Sequence, residues 1–321
     1  MDKFLERYSS AIEQAFGEYY RRHTSPEHLY QPVHYILSLG GKRLRPALVL
    51  LAADSFGCPL EKAMPAAMAI EVFHNFSLVH DDIMDHAPLR RGHPTVHCRW
   101  DANTAILSGD VMMIQAYELF ESYQGDTFRE VILAFNRVAR QVCEGQQLDM
   151  DYEKIGDVSQ AQYMEMIRLK TAVLIGGALR IGGIVAGAST RELEALEGFG
   201  TDVGLAFQLT DDYLDTFGDP RTFGKRIGGD ILEGKKTFLY ITARERASQE
   251  EFERAFSLAD EEEKIEAVRD LYRATGADQA LREQIDRYTE KALAHVDSLP
   301  FSQPYREHYI RLARALVQRK L

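Results

Sequence analysis

Two short acidic runs carry the first sign of chemistry. Asp81-Asp82-Ile83-Met84-Asp85 and Asp211-Asp212-Tyr213-Leu214-Asp215 share the pattern DDxxD. Each follows an apolar run of helical character, AMAIEVFHNFSLVH and GLAFQLT, so each is expected near the C-terminal end of a helix. At about 100° per residue, the first and last aspartates of each run nearly stack on one face. That is locally unfavourable: like charges at i,i+4 repel, and carboxylates at a helix C-terminus oppose the dipole. Each effect is worth roughly a few tenths of a kcal/mol or more. A divalent cation would offset both. Magnesium suits such a site, because it takes few carboxylates, keeps waters and completes its octahedron with phosphate oxygens. A single DDxxD fits a solvated acidic helix end equally well. Two copies on separate helices, with cations near both, favour the metal.

Three basic clusters accompany the acids. The first is Gly40-Gly41-Lys42-Arg43-Leu44-Arg45-Pro46, a Gly-Gly turn with cations three apart at Lys42 and Arg45. A turn into a helix start can present amides and cations to one phosphate group. The second is Arg90-Arg91-Gly92, just after the first acidic run. The third is Gly224-Lys225, followed by Asp230 and Lys235-Lys236. Lys236 and Arg226 read as solvated surface charges. Lys42 and Arg45 do not, because the apolar run ALVLLAA follows at once. An acidic protein that sets cations beside acid clusters is expected to handle an anion together with metal. His74, His80 and His86 lie six apart. His80-Asp81 could belong to a metal phosphohydrolase, but the intervening residues are largely apolar and the second acidic run has no neighbouring histidine. Packing is expected of His80, substrate contact of His74 and simple exposure of His86.

These residues need a scaffold, and the chain supplies one kind of element. Apolar residues recur at three- and four-residue spacing through Leu48, Leu51 and Ala52, and through Ala66, Ile70 and Phe73. The same period returns over Ile106–Phe120, Val131–Val142, Leu193–Leu214 and Ile310–Val317. Turn signals at Ser25-Pro26, Gly57-Cys58-Pro59 and Gly218-Asp219-Pro220 fall between helical segments, and alternating strand patterns are scarce. The expectation is one all-α domain over residues 1–321, of roughly a dozen helices. The 321 residues are 45% hydrophobic, which excludes a disordered chain, and carry a net charge of −11. That balance argues against nucleic acid or an anionic membrane surface as the main partner. Three cysteines at long spacing, Cys58, Cys98 and Cys143, suit a reducing cytosol better than a disulfide framework. The N-terminal run lacks the apolar core of a signal peptide. The most apolar stretch, Thr171–Ala188, is broken by Arg180 and five glycines, and reads as buried helix rather than a membrane span. A cytoplasmic location is expected.

In this setting the chain resembles the trans-isoprenyl diphosphate synthases, the polyprenyl synthetase family. The motifs stand in family order: GGKRLRP at 40–46, HDDIMDHAPLRRGHPTVH at 80–97, EGQQLD at 144–149, LKTA at 169–172, FQLTDDYLD at 207–215 and GKRIGGDILEGKKT at 224–237. The resemblance implies a single bundle of antiparallel helices around a deep central cavity, assembled as a homodimer. It implies a prenyltransferase joining isopentenyl diphosphate to an allylic diphosphate, dimethylallyl, geranyl or farnesyl, with E geometry. By the same resemblance Asp81, Asp85 and Asp211 hold three magnesium ions, and Asp82, Asp212 and Asp215 belong to the same catalytic motifs. Arg90, Lys170, Lys225 and Lys235 bind the leaving diphosphate, while Lys42, Arg45, His74 and Arg91 hold isopentenyl diphosphate. The Lys170 carbonyl, the Thr171 hydroxyl and the Gln208 carbonyl face the allylic cation, and the released diphosphate takes the final proton. Arg319-Lys320 resembles the basic tail that closes over the site.

The family pattern also bears on product length. No residues are inserted in the first DDxxD, unlike bacterial farnesyl diphosphate synthases, and His86-Ala87-Pro88 stands where many members carry a further acid. Residues four to eight positions before Asp81 lie about 6–12 Å along the helix from it. Ser77 is small there, and Phe76 and Phe73 are bulky. Helical periodicity alone makes Phe76 a packing residue; the resemblance makes it the floor of the product pocket. The pattern is most similar to synthases that stop at geranylgeranyl diphosphate, C20, with farnesyl diphosphate, C15, next. A class I terpene cyclase would share the first aspartate motif but not GGKRLRP or the second DDxxD. A non-catalytic subunit of a heteromeric synthase would tend to lose one DDxxD.

Overall fold

The computed structural model describes residues 3–19, 22–219 and 227–317. Among them the architecture is helical, with a single two-stranded hairpin. The helices are α1 (Lys3–Tyr19), α2 (Glu27–Ser38), α3 (Leu44–Ser55), α4 (Leu60–Met84), α5 (Val96–Arg99), α6 (Ala102–Phe120), α7 (Gly125–Lys154) and α8 (Gln160–Ile167). After a π-helical turn (Arg168–Ala172) come α9 (Val173–Ala186), α10 (Thr190–Phe217), α11 (Gly229–Glu233), α12 (Phe238–Arg246), α13 (Gln249–Phe256), α14 (Glu261–Ala274), α15 (Ala277–Asp297) and α16 (Gln303–Val317). Every segment with helical periodicity is a helix. The number exceeds a dozen because helices such as α5 and α11 are too short to show a period.

The chain forms two compact units, Met1–Ala139 with Gly177–Glu197, and Arg140–Gly176 with Gly198–Leu321. In the first, α4 is buried over most of its circumference and packs on α3 and α6. An apolar helix without a polar face belongs at a centre, and α4 is that element. α1 adds Tyr8, Ile12, Phe16 and Tyr19, a stripe at helical spacing that is fully or nearly fully buried. The hairpin pairs Leu89 with Pro94 and Arg90 with His93. Its turn residues, Arg91 and Gly92, both have positive φ, 54° and 78°, the type I′ geometry that matches strand twist. Two-residue strands are too short to alternate, so the sequence carries no strand signal there.

In the second unit, α10 approaches the π turn and α9 closely: a Cβ at Gly204 would lie 2.7 Å from the Ala172 Cα, and one at Gly200 2.6 Å from the Gly176 Cα. α8 and α13 open with capping boxes, Ser159 with Gln162 and Ser248 with Glu251. Leu239, Val268, Tyr272, Leu281 and Ile285 form part of this unit's core. Among the described residues one helical stretch, Gln160–Ala186, is long and apolar enough to cross a membrane, and 78% of its most apolar window is buried in the protein.

Candidate active site

The residues singled out above divide between the two units. In the first, α4 ends at Met84 with Asp85 as its C-cap, so the first DDxxD stands on the last turn as its pattern requires. Asp81 is half-buried and Asp85 exposed, whereas Asp82 turns inward and is 1% exposed. Its Oδ1 accepts from Arg90 Nε at 3.0 Å and Nη2 at 2.5 Å. Burial pushes the Asp82 carboxyl upward, and Arg90 opposes that shift. Its Oδ2 is buried without a hydrogen-bond partner. Asp82 therefore anchors Arg90, and Asp81 and Asp85 are the carboxylates presented to solvent.

The GGKRLRP run does two jobs. Arg45 Nη1 lies 3.0 Å from His74 Nε2. Arg91 donates to the Gly40 carbonyl, and its guanidinium lies across Gly41, where a Cβ would stand 2.9 Å from Cζ. Gly41 has φ 126°, so its backbone favours glycine, and a Cβ there would push the Arg91 guanidinium aside. Burial, then Arg45, Arg91 and Arg90, hold His74 well below the ordinary histidine range. His74 is thus neutral and accepts from Arg45. Arg45 is lowered to about 10 by burial and stays charged at neutral pH. Lys42 is exposed on the same turn. Arg43, unremarked in the sequence, is 3% exposed and wholly structural: it reaches Glu13 and Glu71 at 2.7 Å each and the Leu37 carbonyl at 2.5 Å.

Below the first DDxxD, Phe73 is fully buried, its ring 5.6 Å from Phe76 and 5.2 Å from Phe135. Phe120 and Tyr117 extend the cluster, each 5.1 Å from Phe135. Ser77 donates to the His74 carbonyl, 2.9 Å. His80 packs on Phe76 at 4.8 Å and meets the Ile106 carbonyl, as its packing role implies, and His86 is exposed.

In the second unit the other DDxxD occupies the last turns of α10. A cavity of about 470 Å³ is lined by Lys170, Thr171, Gln208, Asp212 and Lys235, together with Asp149, Tyr163 and Asp230. Tyr163 enters only through long-range packing, whereas Asp230 stands in the third basic cluster and Asp149 in EGQQLD. Thr171 Oγ1 donates to Gln208 Oε1 at 3.1 Å, and Gln208 Nε2 donates to Asp212 Oδ1 at 3.1 Å. Tyr163 donates its hydroxyl to Asp212 Oδ2. Burial and the nearby Asp230 drive the Asp212 carboxyl well above the ordinary range, against the hydrogen bonds from Tyr163 and Gln208. Lys170 Nζ pairs with Asp149, 2.5 Å. Lys235, an exposed side chain, pairs with Asp230 at 3.4 Å and Glu233 at 2.8 Å, which raise its pKa against partial desolvation. Asp215 Oδ2 accepts from the Asp230 amide at 3.0 Å, at the start of α11. Asp211 is half-buried on the same helix end.

Lys170 and Thr171 sit in the π-helical turn, a widened geometry that recurs at functional sites. Gly145 of EGQQLD makes room for it, since a Cβ there would overlap the Leu169–Lys170 backbone. One reading is corrected. Lys236 is not a solvated charge: Nζ donates to the Tyr152 and Glu153 carbonyls at 2.9 and 3.0 Å, capping the C-terminal end of α7. Lys236→Met is expected to lower stability by about 1 kcal/mol, read from denaturant unfolding. Lys225, Arg226 and Arg319-Lys320 lie outside the described residues.

The donor set suits a hard cation. Among the described residues no cluster of three or more His, Cys, Asp or Glu side chains is placed to hold a metal by itself. Each helix end offers instead a few outward carboxylates, and Asp82 Oδ2 adds an orphaned buried oxygen at the first. Magnesium needs only that much from protein when water and phosphate complete the shell.

The comparisons with known proteins agree with this chemistry. Residues 26–275 match the family model described as polyprenyl synthetase. A short chain isoprenyl diphosphate synthase of Methanothermobacter thermautotrophicus is 40% identical, covering 85% of each chain. A crystal structure of a geranylgeranyl pyrophosphate synthase is 46% identical over 98% of this chain and 99% of its own, with a TM-score of 0.92. Another, from Corynebacterium glutamicum and complexed with isoprenyl diphosphate and magnesium, is 29% identical over 98% and 96%, with a TM-score of 0.83. The chain belongs to the polyprenyl synthetase family and has its all-α isoprenoid synthase fold. It is a prenyltransferase of the isoprenyl diphosphate synthase class, in a family that depends on magnesium.

Proposed function

We propose that this enzyme condenses isopentenyl diphosphate with dimethylallyl, geranyl and farnesyl diphosphates and releases geranylgeranyl diphosphate. What supports the reading is two groupings of polar side chains, one in each unit. One, in the first unit, gathers Arg45 and Arg91 about a neutral His74; the other, in the second unit, sets the carboxylate-bearing end of α10 beside Lys170 and Lys235 at one cavity. A cyclase needs only the second.

Asp81, Asp85 and Asp211 would hold magnesium, three ions in all. Bound there, magnesium supplies Lewis-acid stabilisation of the charge that develops on the leaving diphosphate. Lys170, Lys235, Arg90 and Lys225 add their cations to that leaving group. The allylic C1–O bond breaks, and its electrons leave with diphosphate. The Thr171 hydroxyl, the Gln208 carbonyl and the Lys170 carbonyl stabilise the allylic cation without trapping it. Lys42, Arg45, His74 and Arg91 hold isopentenyl diphosphate so that its double bond attacks that carbon. The proton lost from the new chain passes to the released diphosphate. Water has to be kept out, or the cation becomes an alcohol.

Two further assignments belong with this reading. Ile106, Leu107 and Ile114 form an exposed apolar stripe on α6, a surface suited to a second copy of the chain in a homodimer. A cytoplasmic location, expected from three cysteines at long spacing, is the second.

Arg45→Ala is expected to raise the KM for isopentenyl diphosphate about tenfold or more and leave that for the allylic primer within about twofold, and Lys42→Ala to act in the same direction. Lys225→Ala should act through the allylic substrate and ionisation. Initial-rate kinetics with each substrate varied in turn test this. An Arg45 variant that weakened only the allylic primer would reverse the two sites.

A further inference from the structure

We propose that Tyr163 is a positioning residue for the reaction: its hydroxyl locks the Asp212 carboxylate, and Asp212 then fixes which end of the Gln208 amide faces Thr171 and the substrate. The inference rests on the role given to Gln208 and Thr171 above.

Three hydrogen bonds run in a chain from Tyr163 to Thr171. Tyr163 on α8 donates to Asp212 Oδ2, Gln208 Nε2 donates to Asp212 Oδ1, and Thr171 Oγ1 donates to Gln208 Oε1. Tyr163 and Thr171 stand on one continuous helical segment, and Gln208 and Asp212 are one turn apart on α10. With Tyr163 donating to Oδ2 and Gln208 Nε2 to Oδ1, both Asp212 oxygens act as acceptors, so an amide turned over would set its own oxygen against Oδ1. Gln208 must therefore keep its carbonyl on the Thr171 side, where a cation is stabilised and a donor is not. What could undo this is rotation of Asp212, because an aspartate χ2 well is broad. Oδ2 is where rotation is blocked.

Tyr163 is suited to the task. Its ring belongs to the core of the second unit, and α8 is fixed at its start by the Ser159–Gln162 capping box. Burial and then Asp212 hold its phenol well above the ordinary tyrosine range, so it remains a donor. Without the hydroxyl, Asp212 is free to turn, and Gln208 presents its NH2 to the developing cation for part of the time.

The test is a double-mutant cycle on the magnesium-loaded, full-length enzyme, comparing wild type, Tyr163→Phe, Gln208→Ala and the pair. Tyr163→Phe is expected to lower kcat about tenfold, with the KM for isopentenyl diphosphate and the magnesium half-activation concentration each within about twofold. In the Gln208→Ala background the same change should cost no more than about twofold. Equal losses in both backgrounds, or a shifted magnesium response, would overturn the proposal, since Tyr163 would then act on the fold or the metal. Should circular dichroism show Tyr163→Phe unfolded, Asp212→Asn in the same two backgrounds decides: coupling to Gln208 supports the lock, and additivity rejects it. A wild-type enzyme that makes no prenyl diphosphate would sink the proposed function itself. An active wild type with an unaffected Tyr163→Phe sinks only this inference.

Discussion

Asp81→Ala and Asp211→Ala will each lower turnover by at least about a hundredfold while leaving the helices folded. Both residues stand on the final turns of long helices, α4 and α10, and both are half-buried beside a second, more deeply buried aspartate. In the resting protein these charges repel their neighbours and oppose the helix dipole, so removing one relieves strain by a few tenths of a kcal/mol. Their value is realised only when metal and diphosphate are present. Asp82→Ala should behave differently, because Asp82 is buried on Arg90 and its loss strands a guanidinium. Steady-state kinetics across a magnesium titration, with circular dichroism melts, separate the two behaviours. A double Asp81/Asp211 variant with near-normal turnover would end the metal-clamp account.

How much of this was legible beforehand depends on distance along the chain. The helices follow from local periodicity, and the acidic runs sit at helix ends because apolar segments precede them. The structure pairs Arg45 with His74, and Thr171 with Gln208, all residues that the family motifs single out. Within GGKRLRP, however, composition cannot tell Arg43 from Arg45. Glu13 and Glu71, which bury the first, are remote in sequence. Tyr163 carries no signal either, since a tyrosine on an amphipathic helix reads as core until Asp212 is brought to its hydroxyl. Asp149 stood inside a quoted motif without a role until Lys170 was found on it. The π turn leaves no mark for a similar reason: periodicity shows which residues are buried, not that the backbone widens over Arg168–Ala172. Lys236 was misread because a helix C-terminus 82 residues earlier, at Lys154, supplies its acceptors.

The product will lengthen when the aromatic floor is cut away. Phe76→Ala is expected to move the main product beyond C20, and Phe73→Ala to add to that shift. Phe76 lies five residues before Asp81, about 7.5 Å along the helix, and Phe73 a turn further. The two rings are in contact, so removing the first exposes the second. Phe73 is fully buried against Phe135, and its truncation will cost stability of about 3–5 kcal/mol. Products of that variant are therefore best measured at low temperature beside an unfolding control. Chromatography of the dephosphorylated alcohols reports the length. An unchanged distribution in the double variant would place the floor on another helix.

The most direct test of the account is the reaction itself. Purified protein is incubated with magnesium, labelled isopentenyl diphosphate and, separately, dimethylallyl, geranyl or farnesyl diphosphate, and the products are separated by chain length. All three primers should converge on geranylgeranyl diphosphate, taking up three, two and one labelled units respectively, and chelation of magnesium should abolish the reaction. Cyclised hydrocarbons, or no incorporation of labelled isopentenyl diphosphate from any primer, would contradict it.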